Sequence, residues 1–141
     1  MTEELSFYNE VTWTGGALGE VAFPSDHRIE VSLPLEFGGV EGFPSPEDLF
    51  VAAANACVLT TTLAVAERRN VRLRSYASEA EGVLERLGDG REVTRIDIKV
   101  RVAADGDPSV LTEIFSEVSD RVPVVRSMTS SVSIDFEVVG P

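Results

Sequence analysis

Apolar and polar residues alternate in three segments of the chain, with the two-residue period of a strand that buries one face. Ile29, Val31 and Leu33 alternate with Arg28, Glu30 and Ser32. Ile96, Ile98, Val100 and Val102 alternate with Arg95, Asp97, Lys99 and Arg101, and Val132, Ile134, Phe136 and Val138 with Ser133, Asp135 and Glu137. Less regular strands are expected from Leu5 to Trp13, from Glu20 to Phe23 and from Val71 to Leu84. The turn "LGDGRE" joins the last of these to a strand over Arg91 to Ala103 as a hairpin. Antiparallel pairing dominates this reading. The one long Gly/Pro-rich loop is "FGGVEGFPSP", residues 37–46.

Two segments carry a helical period instead. Asp107 and Pro108 read as N-cap and first helical residue, after which Val110, Leu111, Ile114, Phe115 and Val118 fall on one face. The other segment opens with Ser45 as N-cap, Pro46 at the first helical position and Asp48 closing a short-armed capping box, with Glu47 complementing the dipole. Arg68 and Arg69 close its last turn and Asn70 caps it. The result is a helix of about 24 residues, roughly 36 Å long at 1.5 Å per residue.

That helix holds eighteen consecutive uncharged residues, Leu49 to Ala66, the lower edge of a membrane span. Its content argues against one. Asn55, Thr60, Thr61, Thr62 and six alanines make a weakly apolar run, and the surrounding chain reads as half-buried strands. A helix uncharged on every face needs cover on both sides, and one sheet covers only the side it touches. The alanines let another backbone approach closely, so a second copy of the same helix is the economical cover, and a homodimer is expected.

The chain of 141 residues accommodates a single domain, residues 1–141, of α+β class. Twenty-four acidic against 12 basic residues give a net charge of −12, which repels phosphate backbones and anionic lipid headgroups, so neither nucleic acid nor membrane is an expected partner. The start "MTEELSFYNEV" lacks the basic and apolar regions of an export signal, and a cytoplasmic location is expected. One cysteine excludes an internal disulfide; one cysteine and one histidine without CxxC or HxxxH spacing give no metal or cofactor signature.

"SPEDLFVAAANAC" resembles the central helix signature of the osmotically inducible protein C and organic hydroperoxide resistance (OsmC/Ohr) family, a Pro-Glu-x-Leu opening followed ten residues after the Glu by a helix cysteine. Here these are Pro46, Glu47, Leu49 and Cys57. "RVPVVRSMTSSVSIDFEV" is similar to the family's second motif, a Cys-Pro pair opening a short helix before the final strand. The resemblance implies an OsmC-like fold, an intertwined homodimer with antiparallel sheets packed on a long central helix and active sites at the subunit interface. It also implies a chemistry, reduction of organic hydroperoxides. The helix cysteine becomes a sulfenic acid, the second cysteine resolves it, a dithiol reduces the disulfide, and an arginine and a glutamate polarise the site. Thiolate is the nucleophile in such chemistry, and the sulfenic acid must be trapped before over-oxidation.

The chain departs from that pattern twice. Val122 stands before Pro123 where the family has its resolving cysteine, and in "WTGGALGE" Ala17 stands where hydroperoxide-reducing members carry an arginine. Turnover would then need an external thiol, and Arg28, Arg72, Arg74 and Arg126 are the candidate replacement cations. Cys57 reads equally as a peroxidatic thiol or as a buried small hydrophobe, and Glu47 as a catalytic group or a first-turn acid. About 15 Å of helix separates the two, so Cys57 meets only the Glu47 of an antiparallel partner helix. His27 beside Asp26 reads as exposed and inert, and Trp13 and Phe50 as core, interface or apolar walls of a ligand site. Two functions follow. One is reduction of a small hydroperoxide through Cys57 and Glu47 with an external thiol or dithiol reductant. The alternative is a non-peroxidatic dimer that binds a small apolar ligand in the interface pocket.

Overall fold

A computed structural model describes residues 3–140, so the first two residues of the amino-terminal stretch and Pro141 lie outside the described residues. Strands β1 (Glu10–Gly15), β2 (Leu18–Ala22) and β3 (Arg28–Ser32) come first, followed by a 3-10 turn at Leu35–Phe37. Helix α1 (Pro46–Arg68) precedes a hairpin of β4 (Leu73–Leu87) and β5 (Gly90–Ala104), then α2 (Pro108–Arg121), α3 (Pro123–Arg126) and β6 (Ser131–Val138). The chain forms two compact units that divide after Leu49, within the first turn of α1.

The first unit holds the antiparallel sheet β1-β2-β3. Its register sets Val11 opposite Val21 and Trp13 opposite Gly19, and Gly19 opposite Val31 with Val21 opposite Ile29. Directly paired residues share a face, so Val11, Trp13, Val21, Ile29 and Val31 make one apolar face. The strand expected from Leu5 begins only at Glu10. Glu10 already pairs with Ala22, the last residue of β2, beyond which the chain turns with the Phe23 N–H donating to the His27 carbonyl. The described residues before Glu10 therefore find no partner strand, and Phe7 is 91% exposed.

The capping box forms as the sequence predicts. The Asp48 N–H donates to Ser45 Oγ at 3.1 Å, and the Ser45 N–H donates to Asp48 Oδ2 at 2.8 Å. At the other end of α1 Asn70 adopts a left-handed φ of 55°. The Val71 N–H reaches the Ala66 carbonyl while the Asn70 N–H reaches that of Glu67, the paired bonds of a Schellman ending. Asn70 thus stands one residue past the cap proper.

In the second unit β4 and β5 form the expected long hairpin, and β6 joins β5 in parallel. Antiparallel pairing dominates as expected, and this last pair is the exception. Two helices intervene between β5 and β6, and a crossover of that kind returns the chain in the same direction. The core is built from Ile96, Ile98, Val100 and Val102 of β5, Leu111, Ile114, Phe115 and Val118 of α2, and Ala54, Val58 and Val65 of α1. Phe115 stacks on Phe136 with centroids 4.2 Å apart. A Cβ on Gly82 would fall 2.4 Å from Val51 Cγ2, so this glycine permits the close approach of α1 to β4. Asp107 caps α2, its side chain accepting the Ser109 N–H at 2.9 Å.

Candidate functional site

Cys57 sits in the middle of α1, half-buried, packed at the margin of the second unit's core. Its nearest polar neighbour is Thr61 one turn on, with Sγ and Oγ1 4.0 Å apart, either of which can donate. Among the described residues no hydrogen bond or ion pair brings an arginine to the sulfur. Arg28 binds Glu20 at 2.5 Å and Arg74 binds Asp105. Mid-helix placement also keeps the thiol away from the free amides at the amino terminus of α1.

Val122 occupies the N-cap of α3, directly before Pro123. It is fully buried and belongs to the cluster against which Cys57 packs. The position where the family's second thiol is expected is thus a sealed apolar one in this chain. The helix it precedes is present, four residues long, as the second motif predicts.

Only one strip of α1 is buried, made of Ala54, Val58, Thr62, Val65 and Ala66. Those positions recur at helical spacing and face the sheet. Ala52, Ala53, Ala56, Thr60 and Ala64 are exposed, and so are Phe50 and Leu63, at 38% and 47%. By length and composition alone α1 could cross a membrane; its position against a sheet gives its buried strip a different role.

Glu47 lies in the first turn of α1. It lines a cavity of about 380 Å³ in the first unit together with Trp13, Ala17, Val31, Leu33 and Pro34. Its Oε1 is shielded from solvent and has no hydrogen-bond partner among the described residues. Trp13, read from sequence as core, interface or ligand wall, is 75% exposed on this cavity. Sequence patterning does not reveal the cavity, because it depends on the register that sets Trp13, Gly19 and Val31 side by side. His27 is exposed, as expected.

A long helix bearing a mid-helix cysteine, with a three-stranded sheet on either side of it in the sequence, defines the OsmC-like class. The family model for OsmC-like proteins matches residues 39–137, and the chain belongs to that family. An uncharacterized protein from Acinetobacter baylyi is 28% identical over 142 residues, covering 97% of this chain and 96% of its own. An OsmC-like protein of unknown function from Vibrio cholerae superposes with a TM-score of 0.84 at 20% identity, over 96% of this chain and 100% of its own. An organic hydroperoxide resistance protein from Legionella pneumophila superposes at 0.69 with 18% identity, over 97% and 100%. At those identities the structural likenesses speak to fold.

Proposed function

We propose that the protein is a homodimeric, single-domain, cytoplasmic thiol protein that reduces organic hydroperoxides through Cys57, with an external thiol or dithiol as resolver. The Cys57 thiolate attacks the peroxide, the O–O bond breaks, and the departing alkoxide takes a proton to leave as the alcohol. The sulfur is left as a sulfenic acid. An external thiol then displaces water to give a mixed disulfide, and a second thiol equivalent reduces that disulfide and returns Cys57. The observation that carries this reading is the state of Cys57: the chain's one thiol, at the family's helix position, stands half-open at the core margin. Val122 in the second motif supports the external resolver, since no intrachain disulfide can form.

The exposed alanines and Leu63 of α1 support the dimer, because a second copy of this helix would cover them at close approach. An antiparallel pairing would bring the partner subunit's Glu47 toward Cys57, which its own Glu47, about 15 Å along the helix, cannot reach. Light scattering at micromolar concentration tests the assembly, and a folded monomer would overturn it. Alcohol formation from cumene hydroperoxide with excess dithiothreitol tests the chemistry. Turnover should vanish in Cys57→Ser, and turnover that survives the substitution would refute the assignment.

Ala17 and the buried Val122 favour a second reading, a dimer that binds a small apolar ligand without peroxide chemistry. Under that reading hydroperoxide leaves the mass of Cys57 unchanged.

A further inference from the structure

We infer that Cys57 is open to uncharged and cationic reactants and closed to anionic ones. This selectivity rests on the thiol reading above and gives it a substrate class, neutral hydroperoxides, and a resolver class, neutral or cationic small thiols.

The helix around the sulfur is uncharged. Residues one turn away in either direction, Ala53, Ala54, Thr60 and Thr61, carry no charge, and neither does any other residue from Leu49 to Ala66. The cluster against which Cys57 packs is apolar. A charged reactant therefore gives up part of its hydration on reaching the thiol, and only a counter-charge offsets that loss.

The bases of the chain are spread unevenly. Arg28 is the only Lys or Arg before Arg68, against eleven Asp and Glu over the same stretch, and it is committed to Glu20. A second copy paired through α1 brings the same uncharged helix and, from its first turn, only acids. Beyond that stretch the bases are engaged or turned away. Arg68 and Arg69, about 16 Å or more along the helix from Cys57, bind Glu117 and Glu113. Lys99 is exposed between the buried Ile98 and Val100, so it points from β5 away from the core, and its register partners are Glu79 and Asp135. A net charge of −12 acts in the same direction at longer range, lowering the local concentration of anions and raising that of cations. An anion thus meets an apolar site without a counter-charge inside a repelling field. A cation meets the same site inside an attracting one.

The test labels the full chain with methyl, trimethylammonioethyl and sulfonatoethyl methanethiosulfonate, which differ in charge and share one reaction. In it the thiolate bonds to the sulfenyl sulfur and methanesulfinate leaves. Each rate, read from the mass of Cys57, is divided by the rate of the same reagent with 2-mercaptoethanol, so that only the protein's contribution remains. At about 0.01 M salt the anionic reagent should fall at least about tenfold below the neutral one, and the cationic reagent should equal or exceed it. At about 1 M salt, where the Debye length shrinks from about 30 Å to about 3 Å, the share due to distant charge should vanish and the share set by the apolar surroundings should stay. Cumene hydroperoxide and its para-carboxylate should oxidise Cys57 in the same order. Arg126 is exposed at the end of α3, and Arg126→Gln should leave that order unchanged. Equal normalised rates for the three reagents, or an anionic reagent that reacts fastest and slows in Arg126→Gln, would overturn the inference. So would a Cys57 that none of the reagents reaches. If neither hydroperoxide oxidises a thiol that the reagents label in the expected order, the peroxide reading fails and the charge selectivity stands.

Discussion

The two sheets have three strands each and carry apolar residues at the same two-residue period, yet their apolar faces end in opposite surroundings. On β5 Ile96, Ile98, Val100 and Val102 are all between 0% and 1% exposed, whereas on β1 Val11 is 67% and Trp13 75% exposed. Alternation specifies that a face is to be covered and says nothing about what covers it. The second sheet finds cover in α1 and α2, whose buried strips recur at helical spacing. The first sheet instead keeps a cavity edged by Glu47. Stability should therefore be concentrated on the second sheet.

The sharpest way to break this contrast is to truncate one residue on each face. Ile98→Ala should cost about 3 kcal/mol in urea unfolding, as for other buried isoleucines, while Val11→Ala should stay within about 0.5 kcal/mol. A loss at Val11 comparable to that at Ile98 would mean that the first sheet's face is sealed in solution. The same logic applies to the two sides of α1. Leu63→Asp puts a charge on the exposed side and should weaken self-association by at least about tenfold while leaving the fold intact, since Leu63 lies outside the buried strip of α1.

Chemistry sharpens the comparison further, because Ala17 lies on the open sheet's cavity and Val122 in the sealed core. Val122→Cys alone should change peroxide turnover little if the thiol lacks an activating cation, since attack precedes resolution. Ala17→Arg alone should speed the first oxidation several-fold, because a cation brought to the site favours the thiolate. The double variant should exceed the sum. Rapid turnover by Val122→Cys on its own would show that a cation already serves Cys57, with Arg126 four residues away on α3 the first to test.

Most of the scaffold was legible in the sequence because its signals are local. Ser45 with Asp48 announces the start of α1, Asn70 its end and Asp107 with Pro108 the start of α2, and each rests on a hydrogen bond within a few residues. Direction and register are not local, so the parallel pairing of β6 and the late start of β1 escaped. The OsmC-like motifs marked Cys57 and Glu47, but only the three-strand register reveals that Glu47 shares a cavity with an exposed Trp13. Until the sheet is assembled the indole reads as core, interface or ligand wall alike.

Smaller effects test the local signals. Ser45→Ala removes the N-cap acceptor of α1 and should cost about 1 kcal/mol. The backbone N–H of Ser109, and then its hydroxyl, hold the Asp107 carboxyl below its ordinary value. Its folded value lies below its unfolded one, so its contribution is complete above the usual carboxylate range and is lost as pH falls through the lowered value. Asp107→Asn keeps the cap and should remove that acid-dependent part of α2 stability, read by circular dichroism during acid titration.

Whether Cys57 is a peroxidatic thiol without an internal resolver is decided by stopped mixing with cumene hydroperoxide followed by mass analysis of Cys57. A sulfenic acid should form, converting to a mixed disulfide when a small thiol is present and to sulfinic acid when none is. A Cys57 that keeps its thiol mass through complete exposure to hydroperoxide would contradict it.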